Sequence, residues 1–303
     1  MSLTLKTDFS AISSGTERLL FTGQFPEELE LDAVIPELQR AIGYPFAYGY
    51  SLVGRCVEVG TKVDPVLLGK SFFAFHPHQD VCRLPLERVM PVPDEIPLRR
   101  ALFYPFLETA ITLVLDAAPL WGERVAVFGL GTIGLLVTRI LSKFPLANLT
   151  AFEPQSARRT RGLAAGASVC LSGPHESGTD NFDVVIELSG TQQGLSEAFR
   201  VVGFSGRIVS GSWHGQSPVD SGARTAFHRK RVTLISSQVS TIAPALSARW
   251  TKERRAAQTW QLLAITDLES DIAAEVPFED SAEAFRSLIS GAASGQIVLT
   301  YPE

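Results

Sequence analysis

The centre of the chain shows a change of hydrophobic period that is typical of a strand followed by a helix. An apolar run at 124–128, RVAVF, predicts a buried strand. Beyond it, apolar residues recur at spacings that place them on one face of an α-helix: Ile133, Leu136, Val137, Ile140 and Leu141. Lys143 suits the C-terminal end of this helix, and Pro145 lies just beyond it. The pattern therefore predicts a strand that leads directly into an amphipathic helix.

The same alternation continues downstream. Helix-like segments such as TQQGLSEAFRVV separate further strand patterns, which read LTAFE at 149–153, FDVVIELSG at 182–190, GRIVSGS at 206–212 and VTLISSQ at 232–238. Alternating strands and helices predict a doubly wound parallel sheet with helices on both faces.

The flanking sequence has a different character. About 118 residues precede the first strand–helix pair and are rich in β-branched residues, glycine and proline. A basic helical stretch occupies 248–263, and the end of the chain predicts a capping box at Asp280 and Glu283, a helix stop at Gly291 and a last strand. The pattern predicts a β-rich domain split around an inserted α/β domain, with domains at 1–118, 119–242 and 243–303.

Composition narrows the class of protein. The chain has 303 residues, enough for two domains, with 45% hydrophobic and 19% charged residues. The net charge of −5 argues against a nucleic-acid partner. Three separated cysteines, without a CxxC pair, favour a reducing compartment and give no structural zinc site. With no signal-like start or long apolar run, we expect a cytoplasmic enzyme that does not bind membranes.

Three glycines between the central strand and helix form a GxGxxG motif. Gly129 permits a tight turn, Gly131 lets the backbone approach a pyrophosphate, and Gly134 lets helix and strand pack closely. Thr132 and Ile133 open the helix, whose N-terminal N–H groups favour phosphate. A strand before the motif and a helix after it predict a dinucleotide site. The alternative is a sheet of the same kind that binds no nucleotide.

The second strand ends at Glu153, 19 residues after Gly134. An acid at this position binds a ribose 2′-hydroxyl and repels a 2′-phosphate, so NAD(H) is favoured over NADP(H). Arg158 and Arg159 follow closely and could accommodate the phosphate, which leaves NADP(H) open. Further strand ends, at Ser189–Gly190 and Gly211–Ser212, are expected on the nicotinamide side.

Several strings of the sequence resemble the medium-chain dehydrogenase/reductase superfamily: VEVG, WGERVAVFGLGTIG, DVVIELSG and AEAFRSLISGAASGQIVL. SAISSGTERLLFTGQFP, GYPFAYGYSLVG and FAFHPHQD resemble the branch that includes hydroxyethyl bacteriochlorophyllide dehydrogenase. The resemblance implies a Rossmann domain inserted in a GroES-like catalytic domain, a homodimer, and oxidation of an alcohol to a ketone on a bulky, mainly apolar ring substrate. Relatives open with about two further strands, so we expect the catalytic domain to lack its first strands.

The resemblance also implies that zinc is absent. Where zinc-dependent relatives carry Cys-Gly-Thr-Asp and Gly-His-Glu, this chain has SGTE at 14–17 and GYS at 49–51, and Tyr104–Pro105 occupies the region of a third ligand. Serine, tyrosine and proline are not zinc ligands. Without zinc, a hydroxyl must stabilise charge on the substrate oxygen, and the candidates are Tyr50 first, then Ser14, Thr16 and Tyr104. Tyr50 could instead merely fill the volume of the lost metal site.

Other functions stay open: an enone or quinone reductase that uses NAD(P)H, or a nucleotide-binding protein without turnover. His76, His78, Asp80 and Cys82 predict either a metal site or, more simply, a polar loop. Glu108 is interpreted as a helix-start carboxylate or a catalytic acid. A run of cations is interpreted as a solvated helix face or a contact for an anionic substrate: Arg249, Lys252, Arg254 and Arg255.

Overall fold

The computed structural model describes residues 1–26, 30–32, 34–176, 180–213, 221–291 and 293–302. The chain divides into two compact units, the first formed by Met1–Pro105 and Gln258–Glu303 and the second by Phe106–Ala257. The unit limits fall within two helices, whereas the sequence places domain boundaries at 118/119 and 242/243, between predicted elements. Those boundaries stay predictions.

In chain order the strands are β1 (Ser2–Ile12), β2 (Leu52–Val59), β3 (Ser71–Ala74), β4 (Val81–Pro85), β5 (Val89–Pro91), β6 (Arg124–Phe128), β7 (Asn148–Phe152), β8 (Val169–Leu171), β9 (Phe182–Glu187), β10 (Val202–Ser210), β11 (Thr233–Ser236), β12 (Ile272–Pro277) and β13 (Gln296–Thr300). The α-helices are α1 (Thr16–Phe21), α2 (Leu98–Ala101), α3 (Tyr104–Ala117), α4 (Thr132–Leu141), α5 (Ser156–Ala164), α6 (Gln192–Val201), α7 (Ser221–Arg229), α8 (Lys252–Ile265) and α9 (Ser281–Ser290). None of the helices described is both long and apolar enough to cross a membrane.

The first unit is built on a seven-stranded sheet in the order β12-β13-β1-β2-β3-β5, with β4 also paired to β1. Strand β1 pairs antiparallel with β2, β4 and β13. Its N-terminal half alternates in burial, so Leu3 and Leu5 point into a core that also contains Leu52, Phe72 and Leu84. Strand β1 then leads into α1, and the β1–α1 turn carries the serine and threonine candidates.

The second unit contains a six-stranded parallel sheet in the order β11-β10-β9-β6-β7-β8. The order runs outward in opposite directions from the β6–β9 pair, so the topological switch point lies there. Ligands of such sheets bind at the carboxyl ends of the strands beside this point. The strand–helix alternation of the sequence correctly predicts this doubly wound sheet.

The last helix differs in one detail from the sequence-based prediction. Gly291 ends α9 in the left-handed conformation, with φ 74°, which confirms the predicted helix stop. Asp280 is the N-cap, but its side chain makes no cap hydrogen bond. The Glu283 carboxylate accepts a hydrogen bond from Arg286 at 2.8 Å. The predicted capping box is therefore wrong, because Glu283 pairs along the helix rather than back to its start.

Candidate functional site

The glycine-rich turn after β6 lies at the carboxyl edge of the parallel sheet. Gly129 has φ +89°, and a Cβ on it would lie 2.8 Å from the carbonyl oxygen of Leu188. A Cβ on Gly134 would lie 2.0 Å from the Gly129 carbonyl oxygen. Both positions therefore require glycine, the first for the turn and the second for the close approach of α4.

Gly131 plays a different part in this turn. It is the N-cap of α4 with φ −69° and ψ −172°, and a Cβ on it would meet no atom within 4 Å. No side chain caps the helix, whose first turn contains buried Thr132 and half-buried Ile133. Open space in front of uncapped helix N–H groups is the arrangement that a phosphate group fits.

Glu153 follows β7 beside this turn, and its residue is only 4% exposed. Its Oε2 accepts a hydrogen bond from the Leu130 N–H at 2.9 Å, and its Oε1 accepts one from Gln155 N–H at 3.0 Å. Arg159 donates through Nη1 to the carbonyl oxygens of Glu153 and Pro154, at 2.8 and 2.6 Å. The carboxylate is thus held against the glycine-rich turn, and the Arg159 guanidinium is engaged by backbone.

Arg158 lies in the first turns of α5 and is half-buried. It follows Glu153 closely in the sequence, which is the place expected of a residue that binds a 2′-phosphate.

The turns after β9 and β10 come together at the carboxyl ends of these two adjacent parallel strands. The Gly190 N–H donates to Ser212 Oγ at 3.1 Å, and the Gly211 N–H donates to the Glu187 carbonyl oxygen at 3.1 Å. Fully buried Glu187 accepts from the Ser189 N–H at 2.8 Å and also from the Ser189 hydroxyl. The four predicted residues therefore form one hydrogen-bonded edge, organised by a carboxylate that the sequence analysis missed.

In the first unit, Tyr50 sits among hydroxyl groups of the β1–α1 turn. Its OH donates to Ser13 Oγ at 2.5 Å and also forms a hydrogen bond with the Thr16 side chain. Burial raises the pKa of Tyr50 above its ordinary value, and the bonds to Ser13 and Thr16 offset this only in part. Tyr50 therefore stays protonated at neutral pH and acts as a hydrogen-bond donor.

A second set of polar side chains lies behind this turn. The Glu17 carboxylate, 2% exposed, accepts from the Ser13 N–H at 2.7 Å through Oε1 and contacts His78 Nε2 at 2.9 Å through Oε2. His78 Nδ1 lies 2.7 Å from Ser10 Oγ, and that hydroxyl lies 2.8 Å from the Tyr301 OH. Glu17 and His78 thus form a buried, hydrogen-bonded pair adjoining Tyr50.

The remaining hydroxyl candidates lie in two different places. Ser14 is half-buried in the same turn as Thr16. Tyr104 is 1% exposed and packs its ring against Phe73, Phe75 and Trp260, with centroid distances of 5.1, 6.0 and 4.8 Å. The structure brings Tyr50, Thr16 and Ser14 to one turn and places Tyr104 in an aromatic core.

The histidine loop does not assemble the cluster that the sequence left open. His76 is buried, its Nδ1 lies 3.0 Å from the Pro77 carbonyl oxygen, and burial lowers its pKa. His78 instead contacts Glu17 and Ser10, while Cys82 belongs to an apolar core. Each of these side chains has a different environment, which agrees with a polar loop.

Glu108 and one residue of the cationic run form a contact that the sequence did not indicate. Glu108 lies in the second turn of α3 rather than at its start, and its Oε1 accepts from Arg255 Nη2 at 3.1 Å. Burial raises the pKa of Glu108 despite the neighbouring guanidinium. Arg255 is 3% exposed and also donates to Thr112 Oγ1 at 3.0 Å. Since Arg249, Lys252 and Arg254 are exposed, the run is not a single solvated face, and Arg255 is a buried ion-pair partner.

Comparison with known proteins gives consistent matches. A family model described as zinc-binding dehydrogenase matches residues 168–299, less than half of the chain. D-guloside 3-dehydrogenase from Escherichia coli (strain K12) is 23% identical over 261 residues, which cover 80% of this chain and 74% of that protein. L-idonate 5-dehydrogenase (NAD(P)(+)) from the same strain is 26% identical over 204 residues, which cover 65% of this chain and 56% of that protein.

Solved structures agree at the level of the fold. The crystal structure of galactitol-1-phosphate dehydrogenase from Escherichia coli matches with a TM-score of 0.77 at 18% identity, over 99% of this chain and 92% of that one. This match confirms the predicted α/β fold class, a doubly wound Rossmann sheet inserted in a GroES-like β-rich domain.

The family description names zinc, whose protein ligands are thiolate, imidazole and carboxylate. The residues at the expected ligand positions are Ser14, Tyr50 and Tyr104, of which Tyr50 is bonded to Ser13 and Tyr104 is buried among aromatic rings. Over the described part of the chain, no group of three or more His, Cys, Asp or Glu side chains is placed to hold a metal ion. These residues do not fit zinc, and the absence of zinc from the functional protein stays a prediction.

Proposed function

We propose that the chain belongs to the zinc-binding dehydrogenase family and is an NAD(P)-dependent oxidoreductase of the alcohol and sugar dehydrogenase type. The family model and the relatives support this proposal. The observation that carries the proposal is the open N-terminus of α4 at Gly131, next to the fixed carboxylate of Glu153. A pyrophosphate and a ribose hydroxyl are the ligands that this pair of features suits.

We propose NAD(H) as the preferred cofactor. The two backbone hydrogen bonds to Glu153 hold its charge in place, so a 2′-phosphate could not displace it without breaking both. Arg159, one of two alternative partners for that phosphate, already donates to two carbonyl oxygens. The preference rests on electrostatic repulsion as well as on lost hydrogen bonds.

We also propose that the reaction needs no zinc. In oxidation of an alcohol, a bound nicotinamide would take a hydride from the substrate carbon, and the hydroxyl proton would pass to solvent water, which leaves a carbonyl oxygen. Charge that develops on this oxygen must be stabilised by a donor. Tyr50, a half-buried and protonated phenol, is the proposed donor, with Ser14 and Thr16 as secondary candidates. In this proposal the Ser13 hydroxyl donates to the Tyr50 oxygen when substrate binds, so that the single phenolic proton is donated to the substrate oxygen.

The substrate class rests on two different sources. The names of the relatives indicate sugars and polyols, whereas the resemblance to hydroxyethyl bacteriochlorophyllide dehydrogenase indicates a bulky, apolar ring substrate. A homodimer in the cytoplasm, without a membrane or nucleic-acid partner, belongs to the same proposal.

The test is turnover by protein treated with a chelator and analysed for metal. NAD(+) and NADP(+) would be offered with sugar acids, polyols and bulky secondary alcohols, and NADH with ketones, enones and quinones. We expect alcohol oxidation without zinc, with kcat lowered about 100-fold by Tyr50→Phe. Tyr48→Phe is the matched control, because it is the neighbouring half-buried tyrosine.

Four other outcomes would change the proposal. Loss of activity on chelation with recovery on added zinc would contradict the metal-free reaction. Activity with enones or quinones alone would favour the reductase, and NADH binding without any turnover would favour a nucleotide-binding protein. Equal activity of Tyr50→Phe and wild type would remove Tyr50 from the reaction.

A further inference from the structure

His78 contacts the backbone at Tyr48 and at Gly49. Its N–H donates to the Tyr48 carbonyl oxygen at 3.0 Å. Gly49 has φ +127°, and a Cβ there would lie 2.7 Å from Cδ2 of the His78 ring. The ring therefore packs directly on the Gly49 Cα, and no other residue fits at position 49 without moving the imidazole. Through these contacts His78 fixes the backbone that immediately precedes Tyr50.

The same ring also acts on the group that receives the Tyr50 hydrogen bond. With the Nε2–H tautomer assigned to His78, Nε2 is the donor in its 2.9 Å contact with the Glu17 carboxylate. The other carboxylate oxygen accepts from the Ser13 N–H at 2.7 Å, and Ser13 Oγ accepts from Tyr50. His78 therefore affects the Tyr50 phenol in two ways. It contacts the backbone that precedes Tyr50, and through Glu17 it holds Ser13, which accepts the Tyr50 hydrogen bond.

The His78–Glu17 contact is buried, so its loss would be costly. The His78 side chain is 8% exposed and the Glu17 side chain 2%, so water does not replace a lost bond easily. His78 Nδ1 is occupied by Ser10 Oγ at 2.7 Å, which fixes the orientation of the ring. Both ring nitrogens are therefore engaged within the first unit.

We propose that His78, acting through Glu17 and Gly49, is a positioning residue that holds the Tyr50 hydroxyl in its reactive place. The proposal rests on the proposed function, in which Tyr50 donates to the substrate oxygen. His78 touches neither substrate nor cofactor in this account. Its effect is on the geometry of Tyr50, and small displacements of a reacting group have large effects on rate.

The test compares two substitutions at one position. In His78→Gln the side-chain amide reaches the place of Nε2 and can still donate to Glu17, whereas in His78→Asn it reaches only the place of Nδ1, next to Ser10. His76→Gln is the matched control, since His76 is a buried histidine in the same loop and its ring hydrogen-bonds to the Pro77 carbonyl rather than to Glu17. We expect kcat to fall about 10–100-fold in His78→Asn and within about 5-fold in His78→Gln, with a nearly unchanged KM.

A second readout does not depend on turnover. With tyrosine labelled with ¹³C at Cζ, the Tyr50 resonance is assigned by its loss in Tyr50→Phe. We expect this resonance to move in His78→Asn and to stay near its wild-type position in His78→Gln and His76→Gln. NADH affinity should be the same in all variants, because the glycine-rich turn belongs to the other unit.

Equal kcat values and an unmoved Tyr50 resonance in His78→Asn would overturn the proposal. A fall in His78→Gln as large as in His78→Asn would also overturn it, since the Glu17 contact would then not be the cause. If wild-type protein neither binds NADH nor turns over, the proposed function fails instead. The labelled spectra then still decide whether His78 positions Tyr50.

Discussion

Substitution of Gly131 by alanine separates cofactor binding from folding. A Cβ at this position meets no atom within 4 Å, and its φ of −69° suits alanine. Alanine in place of glycine stabilises a compatible site by about 0.4–1 kcal/mol through the unfolded chain. Loss of a glycine N-cap costs about 0.5–1 kcal/mol. The two effects nearly cancel, so we expect Tm to change by less than about 4 °C.

The added methyl group instead occupies the space in front of the α4 N–H groups. A pyrophosphate at that place would have to move away from these donors, and we expect the NADH dissociation constant to rise at least about 10-fold, or about 1.4 kcal/mol. Gly134→Ala is the matched control, because its Cβ would lie 2.0 Å from a backbone oxygen. That substitution should lower Tm, since overpacking of this kind costs about 1–3 kcal/mol.

The assay pairs thermal unfolding with NADH fluorescence titration. Unchanged NADH affinity in a folded Gly131→Ala variant would refute the placement of the pyrophosphate at this turn. A Gly134→Ala variant as stable as wild type would refute the packing argument.

Three further predictions concern charged residues. Glu153→Gln keeps the shape and an acceptor oxygen but removes the charge, so we expect the ratio of NADPH to NADH dissociation constants to fall at least about 10-fold by titration. Arg255→Met leaves the Glu108 carboxylate buried without its ion pair, and the free energy of unfolding in urea should fall by about 3–5 kcal/mol, with partial recovery when Glu108→Met is added. Burial raises the pKa of Asp116, so the folded state binds the proton of this carboxyl more tightly than the unfolded state does. The resulting gain in folding stability is complete below the pKa of the unfolded state and is lost as pH rises through the pKa of the folded state. Asp116→Asn should therefore raise Tm at neutral pH and leave it unchanged near about pH 3, and the opposite pH dependence would contradict the sign.

The parallel sheet and its glycine-rich turn could be predicted because their signals are local. These signals occupy consecutive positions from 124 to 141: strand β6, the three glycines and the apolar face of α4. Each of them depends on the conformation of its own short segment. The pairing of the Gly190 and Ser212 turns follows from the order of the strands, which a doubly wound sheet largely determines. A strand ending in Glu187 repeats the pattern of the strand ending before Glu153, and this repetition could have identified the second carboxylate.

The environment of Tyr50 could not be predicted in the same way. His78 is 61 residues from Glu17 and 68 from Ser10, and Ser10 is 291 from Tyr301. No periodicity links such positions, so the sequence could only suggest that the histidines interact with their neighbours Asp80 and Cys82. Arg255 was likewise interpreted with its neighbours in the cationic run, although its partner Glu108 lies 147 residues away. Tyr104 was a candidate donor by resemblance alone, and its burial among rings became visible only in the fold.

The measurement that tests the central claim most directly is a fluorescence titration of metal-analysed wild-type protein with NADH and, separately, with NADPH. The account predicts saturable binding of NADH, weaker binding of NADPH, and a saturation curve that is unaffected by a zinc chelator. Preference for NADPH would mean that the charge of Glu153 does not decide the cofactor. Binding of neither nucleotide would contradict the assignment of the glycine-rich turn as a dinucleotide site.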